Sequence, residues 1–104
     1  MQSGLFPAFF LGFVKIHILY HASKKPIYGV EIMKELARHG YRLSPGTLYP
    51  TLHRLEDDGY LVAHRRVVRG KVRKYYTATK QGLEVLRESR EKIAELVEEV
   101  LLEK

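Results

Sequence analysis

Apolar side chains crowd residues 5–22 on nearly every side, with Phe6, Phe9, Phe10, Phe13, Val14, Ile18 and Leu19 among them. No single face of a helix is left polar, and a helix that is apolar all round is buried all round. The next apolar set, Val30, Met33 and Ala37 with Ile32 and Leu36, has helical spacing and predicts a second helix running from Pro26 to about Arg38. Pro26 suits a helix start, and Gly40 suits the residue just beyond a helix end. Leu48, Leu52 and Leu55 recur at i, i+4 and i+7 and predict a third helix, capped by Ser44, started by Pro45 and ended by Gly59. Residues 60–68 and 72–78, rich in Val and Tyr and joined at Arg69-Gly70-Lys71, predict a hairpin with a basic tip. Thr79 caps a last helix over about 80–103. In it Leu83, Leu86, Arg90, Ile93, Val97 and Val100 are spaced as a heptad seam, with Arg90 the polar member.

The order helix, helix, helix, hairpin, helix describes an α+β chain that is mostly α: a winged helix-turn-helix over residues 1–79 and a C-terminal dimerisation helix over 80–104 packing on helix 1. With 104 residues in all, little material is available to surround helix 1. The aromatic residues Phe6, Phe9, Phe10 and Phe13, together with the heptad seam, are therefore expected to meet a second copy of the chain.

The third helix contains poor helix formers. Gly46 lies in its first turn and Pro50 inside it, and a proline in a helix interior costs about 3 kcal/mol. Gly46, Thr47, Pro50, His53 and Arg54 fall on the side away from the leucines. In a helix-turn-helix that side enters the major groove. A helix trimmed of bulk there can lie close to a sugar-phosphate wall, with its free N–H groups turned to a phosphate. The competing reading is that Gly46 and Pro50 merely shape a bend. Arg54 and His53 are candidates for base edges, and Thr47 or Thr51 for a thymine methyl or a phosphate. Against this, Arg54 is also placed to pair with Asp58 on the helix surface.

Charge sharpens the picture. The formal net charge is +6. Residues 1–79 hold 13 Lys and Arg against 5 Asp and Glu, whereas residues 80–104 hold 5 against 7. No acid lies between Asp58 and Glu84, while Arg65, Arg66, Arg69, Lys71, Arg73 and Lys74 all do. A one-sided basic segment points to a polyanion, and the six wing cations are candidate phosphate contacts, about half of them by strand alternation.

The ordered motifs are recognisable. PIYGVEI at 26–32, SPGTLYPTLHRLE at 44–56, Gly59-Tyr60-Leu61, Gly70 with RKYY at 73–76, and Thr79 with Gly82 resemble the PadR family, the phenolic acid decarboxylase regulator-like transcription factors, in its compact form. The resemblance implies a homodimer on double-stranded DNA that binds an inverted-repeat operator, usually as a repressor. It also implies an effector, since members often respond to phenolic acids, drugs or other small hydrophobic molecules. By the same resemblance Tyr28 and Gly29 touch the DNA backbone. Ser44, Gly46, Thr47, Tyr49 and Pro50 belong to the recognition helix, and Gly70 and Lys71 lie at the wing tip near the minor groove. Two departures stand out. Where many relatives carry a Trp and an acid early in the wing, this chain reads AHRRVVRG, and Val72 replaces a common Pro. The chain has no Trp, so an indole sandwich for a ligand is not available. Phe9, Phe13 and Tyr20 are the candidates for an effector site, the alternative being a plain dimer core.

Other chemistry is sparse. With no Cys there are no disulfides or thiolate metal sites. His17 and His21 stand four apart, a spacing that can bind a metal, but no acid lies between them, and the pair by itself is expected to line a half-buried face. Neither metal nor cofactor is expected. No triad or Gly-rich phosphate loop suggests an enzyme. The apolar run LFPAFFLGFV is about half of a membrane span and lacks the start and cleavage site of a signal peptide, so a cytoplasmic protein without a membrane partner is expected. A protein–protein adaptor of the same shape is the alternative function.

Overall fold

The computed structural model describes residues 5–104; the side chain of Phe6, expected at a dimer contact, lies outside the described set. Helix α1 spans Leu5–Lys24, strand β1 Ile27–Tyr28, helix α2 Gly29–Arg38, helix α3 Pro45–Asp57, strands β2 Leu61–Val68 and β3 Lys71–Ala78, and helix α4 Lys80–Leu96. A π-helical turn, Val97–Leu101, prolongs α4, so the last helix is not uniformly α to residue 103. Among the described residues no helix is long and apolar enough to cross a membrane.

The sheet is antiparallel, in the order β1-β3-β2. Its shortest strand corrects the sequence reading. Pro26 does not start α2; it leads into β1, whose Ile27 and Tyr28 pair with Tyr76 and Tyr75, and the helix begins only at Gly29. The backbone N–H and C=O groups of residues 27 and 28 find partners on β3 rather than in a helix, which puts the start of α2 at the edge of the wing. At the wing tip Arg69 and Gly70 both have positive φ, 52° and 79°, as a two-residue type I′ turn requires.

The core is fed by every element. Val14, Ile18, Leu19 and Ala22 of α1 meet Ile32 and Leu36 of α2, with Leu48, Leu52 and Leu55 of α3 beneath them. Ile27, Leu61 and Tyr76 close it from the sheet. The inner face of α2 is narrower than its apolar pattern implies. Ile32 and Leu36 are buried, but Val30 is 50% exposed and Ala37 is also exposed. Leu86 of α4 is only 5% exposed, buried within its own chain rather than left free in a seam.

Two turns fix how the elements follow one another. After α2, Gly40 N–H donates to the Ala37 carbonyl and Tyr41 N–H to the Leu36 carbonyl. After α3, Gly59 and Tyr60 donate to Glu56 and Leu55 in the same 5→2 and 6→1 pattern. This is the Schellman ending that a left-handed glycine makes possible, and Gly59 has φ +85°. The second ending is also tied to α4. The Thr79 hydroxyl donates to the Gly59 carbonyl (2.6 Å) and accepts from Gly82 N–H (3.0 Å), while Thr79 N–H reaches the Tyr60 carbonyl (3.1 Å).

Gly82 is buried where a Cβ would run into that Tyr60 carbonyl. A methyl there cannot be relieved by a side-chain rotation, because the obstacle is backbone. Gly82→Ala is expected to destabilise the fold by about 1–3 kcal/mol, as overpacking does. Thermal unfolding followed by circular dichroism should show a melting temperature several degrees lower.

Candidate nucleic-acid interface

The exposed face of α3 begins with what its other face buries. Leu48, Leu52 and Leu55 are at most 3% exposed, and Thr51 is buried beside them with its hydroxyl donating to the Thr47 carbonyl at 2.8 Å. Thr51 is therefore withdrawn from the set of residues able to meet a partner. Gly46, Thr47, Pro50, His53 and Arg54 are all exposed on the opposite side. Pro50 leaves the Gly46 carbonyl without its helical N–H, but this happens on the exposed face, where water can take the vacant bond. The Ser44 side chain makes no N-capping bond to a backbone N–H; its hydroxyl lies 3.3 Å from that of Thr47, and its carbonyl accepts from Thr47 and Leu48 N–H. Arg54 forms no ion pair with Asp58, so its guanidinium remains available.

The start of α2 meets α3 at close range. Gly29 is buried, and the ring and hydroxyl of Tyr49 occupy the space a Cβ would take. Gly29 thus serves the approach of the two helices rather than offering a surface of its own, whereas Tyr28 remains half-exposed beside it. A groove of about 510 Å³ runs between the start of α2, the outer side of α3 and the wing. Tyr28, Tyr49 and Arg73 line it with two side chains absent from the sequence-based site, Lys34 and Val30. The signal was present: Val30 and Lys34 are one turn apart and opposite the core residues Ile32 and Leu36.

The wing carries the densest charge. Cross-strand register sets Arg65 opposite Lys74 and Arg66 opposite Arg73. Like charges directly opposite one another destabilise a sheet by roughly 0.2–1 kcal/mol per pair. Aromatic rings and one acid moderate this. Arg73 lies over the Tyr28 ring at 4.1 Å and donates to the Tyr75 hydroxyl at 3.3 Å; Arg66 lies over the Tyr75 ring at 5.0 Å. The bond to Tyr75 is the main cause that raises the pKa of Arg73. Lys74 pairs with Glu56 of α3 at 3.2 Å, which fastens the wing to the helix and removes Lys74 from the expected phosphate contacts. Burial opposes the charge of Lys74, but hydrogen bonds with Glu56 and Tyr76 raise its pKa on balance. Arg65, Arg66, Arg69 and Lys71 stay exposed, with Arg69 and Gly70 in the turn and Lys71 next to it.

The residues expected at a second copy divide. Phe9, Phe13, Leu83, Ile93, Val97 and Val100 all keep more than a third of their surface exposed. Phe10 packs on its own core, edge-on to Tyr41 with centroids 5.1 Å apart. Arg90 is exposed and makes no ion pair among the described residues. The effector candidates separate as well. Phe13 and Tyr20 line a cavity of about 350 Å³ between α1 and α4, while Phe9 lines a neighbouring one of about 410 Å³ that Phe13 shares.

Residues 18–88 match the family described as transcriptional regulator PadR-like. The chain is 54% identical over 88 residues to the transcriptional regulator Rv3488 of Mycobacterium tuberculosis, covering 85% of this chain and 82% of that one. A PadR-like transcription factor from Bacteroides fragilis superposes with a TM-score of 0.83 at 29% identity, over 98% of this chain and 100% of the other. A PadR family regulator from Eggerthella lenta does so with a TM-score of 0.78 at 38% identity, over 89% and 84%.

The contact between Gly29 and Tyr49 makes a prediction with a change of sign. Gly29→Ala is expected to destabilise the protein by about 1 kcal/mol or more through overpacking. In a Tyr49→Ala background the same change should become neutral or stabilising, since alanine favours a helix over glycine by about 1 kcal/mol. Urea unfolding of the double-mutant cycle measures both.

Proposed function

The chain belongs to the PadR-like family of transcriptional regulators, and on that premise we propose that it is a repressor that binds an inverted-repeat DNA operator as a homodimer. The observation that carries this reading is the exposed face of α3, small and polar from Gly46 to Arg54, set beside a wing whose cations face one another across the strands. Phosphates placed along Arg65, Arg66, Arg69 and Lys71 relieve a repulsion that the free protein bears. Gly46, Thr47 and Pro50 allow the helix to approach the groove, His53 and Arg54 supply donors for base edges, and Tyr28 and Lys34 flank them toward the backbone. The wing tip, Arg69 to Lys71, lies toward the adjacent minor groove.

In this reading residues 80–104 serve dimerisation. The exposed apolar side chains of α1 and α4, Phe9, Phe13, Ile93, Val97 and Val100, cover one another across a two-fold axis. The paired α3 helices then address half-sites about 34–36 Å apart. A small apolar or aromatic effector fits the cavity beside Phe13 and Tyr20, whose volume is of the size such ligands occupy. Its place between α1 and α4 gives it leverage on the separation of the two reading helices. The protein acts in the cytoplasm, where its DNA is.

Gel shifts on the gene's own upstream region against random duplex test the proposal. Preference for one duplex by orders of magnitude supports it; equal weak binding, or none, removes it in favour of an adaptor. Replacing Arg69 and Lys71 together by Ala should lower the slope of log affinity against log salt by about 1.8, near 0.9 for each lost phosphate contact. Lys74→Ala should leave that slope unchanged. Ile93→Asp, at an exposed seam position, should turn a dimer into a folded monomer in sedimentation and abolish high-affinity binding.

A further inference from the structure

We propose that His17, His21 and His39, with Glu35 as fourth donor, form a binding site for a zinc-class divalent cation. The three imidazoles offer ligand nitrogens that all lie within 4.8 Å of one another. His17 and His21 stand one turn apart on α1 with nearly parallel rings, 17° between planes. His39, the residue that caps the C-terminus of α2, brings its ring centroid to 5.0 Å from that of His17 and 6.4 Å from that of His21. The fold thus adds to the α1 pair a third imidazole from 18 residues farther along the chain.

Glu35 completes the set. Its Oε2 accepts a hydrogen bond from Arg38 at 3.1 Å, while Oε1 lies 3.9 Å from Nε2 of both His21 and His39. The oxygen left free by the arginine is the one turned toward the imidazoles. Three imidazoles and a carboxylate are donors suited to zinc and its neighbours in the first transition row, and they offer no thiolate to draw softer ions. Tetrahedral coordination at about 2.0–2.1 Å sets donor atoms roughly 3.4 Å apart. The cluster is slightly open relative to this, and His39, exposed at a helix end, is free to close it by ring rotation. Burial first, then the neighbouring His39 and His21, lowers the pKa of His17; for His21 burial outweighs the opposing pull of Glu35. Neutral imidazole is the ligating form, so little proton displacement opposes metal binding near neutral pH.

A cation in this position cross-links α1 to the C-terminal end of α2. It sits in the wall of the cavity that α4 closes with Leu86, Arg90 and Ile93. Neither helix holds the full donor set, so the site exists only in the folded chain, and binding must add to stability.

Calorimetry with zinc chloride on the tag-free, chelator-stripped full chain tests the proposal, with cobalt(II) absorption as a second readout. One cation per chain, the visible bands of four-coordinate cobalt and a raised melting temperature are expected. His39→Ala and Glu35→Gln should each weaken zinc binding by on the order of tenfold or more, as even outer-shell changes do. Both lie on the surface side of the cluster, and circular dichroism will show whether they remain folded. His64→Ala, remote on the wing, should bind as the parent does. Absence of saturable binding would overturn the proposal, as would affinity unchanged in both His39→Ala and Glu35→Gln, or an equal loss in His64→Ala.

Discussion

The burial of one side of α3 is the constraint from which the rest of the molecule follows. Leu48, Leu52 and Leu55 are almost wholly removed from water, and Thr51 joins them by spending its hydroxyl on the helix backbone. At roughly 1.5–3 kcal/mol for each fully buried leucine, this attachment outweighs the poor helix propensity of Gly46 and Pro50. A helix that would be marginal alone is therefore held in one rotation about its axis. That rotation decides which side chains face outward, and a reading surface is useful only if its rotation does not vary.

The wing is held against this helix by a different kind of interaction. Pairing of β1 with β3 carries Tyr28, the last residue before α2, to the face of Tyr75, and Arg73 closes over Tyr28. The ion pair of Lys74 with Glu56 spans the same gap from the other strand face. Apolar burial is scarce in a hairpin whose outer half is exposed, and stacked cations and aromatic rings take its place. The outcome is a hairpin rigid at its base and charged at its tip, with cations that repel one another until an anion is supplied.

On the far side the balance is apolar. Helix α1 buries Val14, Ile18 and Leu19 in its own chain yet still presents Phe9 and Phe13, while α4 buries Leu86 and presents Ile93, Val97 and Val100. The two helices are crossed so that each keeps part of its apolar surface outside. Between them the cavity beside Phe13 and Tyr20 and the imidazole cluster of His17, His21 and His39 share a wall. Ligand chemistry and assembly surface are thus adjacent, which lets the occupancy of one bear on the geometry of the other.

Local chemistry in the chain was enough to determine the number and order of the long elements, the leucine face of α3, the glycine endings after α2 and α3, the wing turn and the Thr79 cap. Each depends on residues only a few positions apart, so periodicity and turn preference speak for it directly. Partnerships between distant residues were decided by the tertiary structure alone. The strand at Ile27 and Tyr28 exists because β3 is there to accept it. Lys74 is taken out of the basic surface by Glu56, 18 residues away. Gly29 proved to be a seat for Tyr49, and Leu86 turned inward although its heptad position was consistent with either side. The pair His17 and His21 was legible as a spacing, but His39 and Glu35 reach it only through the packing of α2 on α1. A one-dimensional pattern records which face of an element is apolar; it holds no record of what that face meets, because the meeting is set by the path of the whole chain.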